Sequence, residues 1–386
     1  MMDGEPLNDK LYRKLARHLD DLPGGFPSTD SGVELRILRR LFTLEQAALA
    51  VHLTLIPEAA PVVARRAGIA VGEALERLTA MAREGLIFSL EREGSKPRFM
   101  AAQFVVGIWE YHVNSLDEEL VRDVNEYLPQ LFDAELWKRA PQLRTVPVGR
   151  SLKVDHRVLA HEQAAEMVRE RRLIVVAPCI CRREHKIQGE GCDRPEEACL
   201  IFDAAADYYL RNGLGREIGA DEAREILERA DRAGLVLQPS NSQKATNICC
   251  CCGCCCQVLK HVARQPRPGE YVSSAFRATL NADACVACGV CTERCPMGAL
   301  TLTEDADAVA LAVERCIGCG LCVSTCPTQA LALERKPQGE LPKVPATLTE
   351  AVLQMARARG KLGPLELAAT GLRSKFDRLL ARQRRR

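Results

Sequence analysis

Cys285-Val-Ala-Cys288-Gly-Val-Cys291-Thr-Glu-Arg-Cys295-Pro296, followed by Cys316-Ile-Gly-Cys319-Gly-Leu-Cys322-Val-Ser-Thr-Cys326-Pro327, writes one cysteine pattern twice. Each copy reads C-x2-C-x2-C-x3-C-P. At that spacing three thiolates on a tight loop reach three irons of one [4Fe–4S] cube, while the fourth, on the following turn, points away and ligates the other cube. By that rule Cys285, Cys288, Cys291 and Cys326 hold one cluster, and Cys316, Cys319, Cys322 and Cys295 hold its partner. Small residues between the ligands (Ala287, Gly289, Gly318, Gly320) let backbone N–H groups approach the sulfurs. Zinc also accepts C-x2-C hooks, but two full copies, each closed by Cys-Pro, favour iron–sulfur ligation.

Each copy runs into a short apolar strand, Ala299 to Leu302 and Ala330 to Leu333, so the stretch is an internal repeat that predicts a pseudo-two-fold βαββαβ module. This segment resembles the bacterial two-[4Fe–4S] ferredoxins. The resemblance implies one-electron transfer between two clusters held close together, with no bond-making chemistry of their own.

A length of 386 residues predicts two to three domains. The formal charge is +2, from 53 basic and 51 acidic side chains, so the bulk balance demands neither nucleic acid nor an anionic membrane. No apolar run approaches the roughly 18 residues needed to span a bilayer, and Met1 to Asp21 is charged, without the apolar core of a secretory signal. The expectation is a soluble, cytoplasmic protein. In that reducing compartment 19 cysteines read as metal ligands rather than disulfides. Those outside the repeat all lie between Cys179 and Cys256.

The expected fold class is multidomain α+β. An N-terminal helix (Leu11, Leu15, Leu19) and the turn-rich linker Leu22-Pro-Gly-Gly-Phe-Pro fill 1–31. Residues 32–115 follow as a winged-helix-like domain: Thr43 and Gln46 make a capping box, Val71 to Glu84 reads as a helix with Leu75, Leu78 and Met81 on its apolar face, and Leu86 to Leu90 with Arg98 to Val106 form a hairpin across the turn at Arg92 to Ser95. In such a fold the Val71 to Glu84 helix is the one that enters a DNA groove, yet Glu73, Glu76 and Glu84 outnumber Arg77 and Arg83 there. Acidic excess disfavours phosphate contact, so protein contact or scaffolding is expected instead.

Residues 116–262 read as a helical connector and an α/β cysteine-rich metal-binding domain. Trp109, Tyr111, Tyr127, Phe132 and Trp137 are core candidates, and a helix is expected over Val158 to Arg171, with His156 and His161 as surface residues rather than ligands. A buried strand, Leu173 to Val176, delivers the chain to Cys179-Ile-Cys181-Arg-Arg-Glu-His185. Cys192 follows, then Cys199 on a helix begun by Pro195. Helices at Asp203 to Arg211 and Asp221 to Ala233 and a strand at Leu235 to Leu237 lead to Cys249-Cys-Cys-Cys-Gly253-Cys-Cys-Cys256. Strand and helix periodicities forbid all of these thiols from facing one point. Cys249 with Cys252, or Cys251 with Cys254 and Cys256, would complete a centre with Cys179, Cys181, Cys192 and Cys199; Cys255 is a further candidate. One additional Fe–S cluster with spare structural cysteines is the simplest expectation, and zinc or plain buried thiols are the alternatives.

The ferredoxin domain is expected over 263–336, and a stiff linker and two helices (Leu348 to Arg359, Pro364 to Arg382) over 337–386, ending in Arg384-Arg-Arg. The last helix carries Ala368, Leu372, Phe376 and Leu379 on one face, for docking onto a partner or packing on its own chain. Taken together, Gly25-Phe-Pro, Ala177-Pro-Cys-Ile-Cys-Arg, Gly191-Cys-Asp-Arg-Pro and the run at Ile248 to Cys256 resemble a family of ferredoxin-domain proteins with a cysteine-rich middle domain, known only as 4Fe–4S binding proteins. The resemblance brings no established reaction.

Three functions compete. The first is electron transfer to or from a partner redox protein. The second is a catalytic middle-domain centre acting on an anionic substrate near Arg182, Arg183, His185 and Lys186. The third is a redox-sensing winged-helix regulator. Neither a GxGxxG fingerprint nor a P-loop accompanies the second.

Overall fold

The computed structural model describes residues 7–92, 94–152, 158–303, 305, 307–361 and 364–383. His156 and the closing Arg384-Arg-Arg lie outside the described residues. The chain is mixed helix and sheet, and divides into two compact units: Met1–Leu131 with Asp207–Leu214 and Val352–Arg386, and Phe132–Ala206 with Gly215–Ala351.

The first unit opens with α1 (Leu7–Asp20), α2 (Val33–Leu41), α3 (Leu44–Ala50), β1 (Glu58–Ala59), α4 (Ala60–Ala67), α5 (Val71–Arg83), β2 (Ile87–Leu90), β3 (Arg98–Ala101), α6 (Trp109–Tyr111) and α7 (Glu118–Leu131). The capping box is present: Thr43 Oγ1 accepts from the Gln46 N–H, and the Gln46 side chain accepts from the Thr43 N–H. The sheet is antiparallel in the order β1-β3-β2, with Glu58 opposite Phe99 and Ile87 opposite Ala101. On α5 the inward residues are Ala74, Leu78, Met81 and Ala82. Leu75, expected among them, is exposed, because it sits one position off that stripe. Phe26, Phe104 and Tyr127 meet edge-on and tilted in the core, so the Gly25-Phe-Pro segment plugs the helices rather than merely linking them.

Burial lowers the pKa of His18, His52 and His112 in this unit. A histidine kept neutral by folding binds fewer protons folded than unfolded just below its ordinary value of about 6.5, so stability falls as pH drops through that value. Urea denaturation of the first unit is expected to show a lower midpoint at pH 5 than at pH 7.5. The carboxylates whose pKa is lowered, such as Asp20 and Asp117, act only at more acid pH.

The second unit holds α8 (Ala134–Arg139), α9 (Ala164–Arg169), β4 (Ile174–Pro178), α10 (Ile180–Ile187), β5 (Glu197–Phe202), α11 (Asp203–Arg211, counted with the first unit from Asp207), β6 (Arg216–Ile218), α12 (Ala220–Arg232), β7 (Val236–Pro239), β8 (Asn247–Cys251) and α13 (Gln257–Ala263). Five of these strands form one antiparallel sheet, β6-β4-β5-β8-β7. The helix expected over Val158 to Arg171 is shorter. Ala160–Glu162, carrying His161, makes a separate 3-10 turn, and Gln163 is extended before α9 begins. Cys199 lies on strand β5 and not on a helix, since the Ala198-Cys-Leu-Ile-Phe run is apolar enough to be buried between neighbours in the sheet.

Next come β9 (Phe276–Leu280), α14 (Val290–Arg294), β10 (Leu300–Thr301), β11 (Ala310–Leu311) and β12 (Leu331–Arg335). β9 pairs antiparallel with β12, and β10 with β11. Met297, Ile317, Cys319 and Leu321 of this segment are buried in the same continuous core as the apolar residues and cysteines of the five-stranded sheet.

The chain closes with α15 (Leu348–Ala358) and α16 (Pro364–Gln383). Within the first unit α16 packs through its polar side. Arg65 and Arg66 donate to Asp377 at 2.9 and 2.7 Å, Ser374 donates to Glu58 at 2.6 Å, and Glu58 in turn holds Arg66. The expected apolar face is the outer one, with Leu372, Phe376 and Leu379 at 66%, 60% and 59% exposure. The buried Arg66–Glu58 pair needs the carboxylate of Asp377 to satisfy its remaining donor, and that demand orients the helix.

Candidate metal centres

The repeated motif lies between the two strand pairs. Cys285, Cys288, Cys291 and Cys326 line one cavity together with Leu280, Val309 and Leu331. Cys295, Cys316, Cys319 and Cys322 line another, with Ala278, Leu300, Ile317 and Leu333, and its empty space, mouth included, is about 370 Å³. The fourth cysteine of each copy thus faces the first three of the other. Backbone donors point at sulfur: Ala278 and Gly318 N–H to Cys316 at 3.3 and 3.4 Å, and Ala299 N–H to Cys295 at 3.3 Å. Gly318 has φ +69, and a Cβ there would overlap the Phe276 carbonyl oxygen, so only glycine lets the loop lie on β9. Four thiols, an apolar wall and N–H donors aimed at sulfur fit a [4Fe–4S] cube.

The middle cysteines separate into two sets, and the sheet decides which residue goes where. Cys199 on β5 stands directly opposite Cys249 on β8. Cys249 and Cys251 share a face of β8 by strand alternation, while Cys250 points to the other face, where it is buried among apolar side chains. Cys179 caps the start of α10 with Cys181 in its first turn, and Cys256 caps the start of α13.

The first set is a ring in which each thiol has two others as hydrogen-bonding neighbours: Cys179 has Cys181 and Cys199, Cys256 has Cys181 and Cys251, and Cys249 has Cys199 and Cys251. Hydrogen bonds from these neighbours pull Cys179, Cys249 and Cys256 down and push Cys181, Cys199 and Cys251 up, so the ring holds its protons jointly.

The second set is Cys192, Cys252, Cys254 and Cys255, whose sulfurs all lie within 4.8 Å of one another. The backbone turn at Gly253 carries the chain off the end of β8 and aims Cys252, Cys254 and Cys255 at the Cys192 loop. Neither expected grouping of the run is realised: Cys249 and Cys252 separate, and Cys251 and Cys256 separate from Cys254. The sheet register and the turn were the missing information. Cys192 also parts from Cys179, Cys181 and Cys199.

Arg182 sits against both sets. Its side chain is fully buried, donates to the carbonyl oxygens of Pro195 (2.8 Å) and Cys250 (2.9 Å), and lies in the field of Cys179, Cys252, Cys251 and Cys199. Among the described residues no carboxylate pairs with it, so its counter-charge is sulfur. The other cations expected to greet an anionic substrate already have partners in the chain. Arg183 and Lys186 both hold Glu196, at 2.6 and 2.8 Å, and His185 is set between the Cys181 carbonyl (2.8 Å) and Lys260 (3.1 Å). Sequence reasoning passed over Glu184, which is wholly buried beside the ring, takes a hydrogen bond from Gln257, and has its pKa raised by burial.

No helix among the described residues is long and apolar enough to cross a membrane. No curated protein and no solved structure matches the chain. Residues 277–327 match the family model of the 4Fe-4S dicluster domain, and this match and the clustered thiols support a 4Fe-4S-binding protein with an iron–sulfur redox function.

Proposed function

We propose that the protein carries single electrons to or from a partner redox protein. One [4Fe–4S] cluster is held by Cys285, Cys288, Cys291 and Cys326 and its neighbour by Cys316, Cys319, Cys322 and Cys295, with a further Fe–S centre on the ring of Cys179, Cys181, Cys199, Cys249, Cys251 and Cys256. Such clusters, when bound, supply a one-electron change without making or breaking substrate bonds. The chain's own part is to set charge and access. Ala278, Gly318 and Ala299 present N–H groups to sulfur, Leu300, Ile317 and Leu333 exclude water, and Arg182 offsets the negative charge of the ring.

The observation that carries this reading is the shared core. Cys319 and Met297 belong to the same buried core as Cys250, Cys251, Cys252 and Cys256, and Gly253 of the thiol run is pressed against Pro296 in the wall of the second cavity, so that cavity adjoins the middle thiols. The first cavity instead opens outward, with Cys288 exposed and Val286 at 61% exposure. An electron would enter from a partner at that end and pass inward. Anaerobic reconstitution with iron and sulfide analysis, followed by EPR of the reduced protein, is the test. The expected result is more than eight irons per chain, and fewer than eight ends the proposal.

Residues 32–115 we read as a winged-helix-like domain used for protein contact. The exposed positions of α5 are Val71, Gly72, Leu75, Glu76 and Arg83, and Arg77 is tied to Glu73 and Glu45. A face of two apolar side chains whose one glutamate cancels its one arginine carries no net positive charge for phosphate.

A further inference from the structure

The distances within the second thiol set differ in kind from what a cube requires. Cys192 lies 4.0 Å from Cys252 and 3.6 Å from Cys255, and Cys255 lies 3.8 Å from Cys254. Four thiolates bound to one ion at about 2.3 Å sit at the corners of a tetrahedron with edges of about 3.8 Å. In a cube each thiolate binds a different iron and points away from its centre, so the sulfurs stand farther apart. Among the described residues neither ferredoxin-type cysteine set closes to within 4.8 Å as a group.

We propose that Cys192, Cys252, Cys254 and Cys255 bind a single zinc ion in a closed tetrahedral site, distinct from every iron–sulfur centre of the chain. The surroundings suit such an ion. Four thiolates around a divalent metal leave a net negative charge, and two guanidinium groups face it: Arg194 donates to Cys254 at 3.3 Å, and Arg182 lies in the field of Cys252. The Arg194 N–H points at Cys192, and the Cys255 N–H at Cys252. All four positions are filled by protein, which marks a structural rather than a catalytic zinc site.

The ion's work follows from Gly253. A Cβ on that residue would stand 2.9 Å from the Cβ of Pro296, so the turn that carries three of the thiols is pressed against the residue after Cys295. Zinc has no redox change of its own. It would pin the 192 loop to this turn and so brace the wall of the second cavity.

The test is metal analysis of the anaerobically purified, desalted full chain, with zinc-edge X-ray absorption. The expected result is about one zinc per chain with four sulfur neighbours at about 2.3 Å. It should be absent from the Cys192→Ala/Cys254→Ala double variant and kept by Cys250→Ala, a cysteine of neither set. Zinc absent from the unmodified protein, zinc with nitrogen or oxygen neighbours, or zinc retained by the double variant overturns the proposal. Iron is counted in the same samples, so failure here is separable from failure of the electron-transfer reading.

Discussion

Replacing Cys295 together with Cys319 by alanine is expected to remove one cluster, about four irons per chain, whereas replacing Cys295 together with Cys288 removes two, about eight. The reasoning rests on which thiols share a cavity. Cys295 lines the space of Cys316, Cys319 and Cys322, and Cys326 that of Cys285, Cys288 and Cys291. Two substitutions inside one cavity leave the other intact, while one in each leaves neither complete. If each motif instead held its own cluster, the outcomes would exchange: the pair 295 and 288 would lose about four irons, and the pair 295 and 319 about eight. Iron and acid-labile sulfide on anaerobic protein read the difference directly, with no activity assay and no knowledge of the partner. The prediction also has a spatial asymmetry. The second cavity shares its core with the middle sheet, so its loss should perturb the unfolding of that sheet, while loss of the outward cavity should not.

The second helix of the expected βαββαβ repeat is a run of turns over 321–325. The ligand loops of that segment were legible because their geometry is local: ligands two or three residues apart carry their own loop. The Thr43 capping box was legible for the same reason. The middle domain was not, although all of its cysteines could be seen. Whether Cys249 belongs with Cys199 or with Cys252 depends on the register between β5 and β8, a pairing across some fifty residues of chain that no local pattern states. Cys199 was misplaced because Pro195, followed by Glu196 and Glu197, imitates a helix start, while the apolar residues after them are claimed by the sheet. The last helix packs on its own chain, one of the two expected outcomes, but not through the expected face. Its amphipathic face was read correctly as a stripe, but the buried Arg66–Glu58 pair draws in the opposite side through Asp377.

Arg182→Met is expected to lower the stability of the metal-loaded protein by about 3–5 kcal/mol, the usual result of removing one partner of a buried charge pair. The guanidinium is fully buried, its donors hold the Pro195 and Cys250 carbonyls, and among the described residues the anions that can answer its charge are thiolates. Methionine matches the apolar stem but leaves both carbonyls unpaired and the metal–thiolate charge uncompensated. In metal-free protein with its thiols protonated the balance reverses. There the arginine is a buried cation without a counter-ion, and its removal is expected to cost far less or to stabilise. Hydrogen exchange at the β8 amides, followed with and without metal, separates the two contributions. An equal loss in both states would reduce Arg182 to its two hydrogen bonds, whereas a loss confined to the loaded state identifies sulfur charge as its partner. That second outcome ties the two thiol sets together, since the same side chain lies in the field of Cys199 and Cys251 from the ring and of Cys252 from the tetrahedral group.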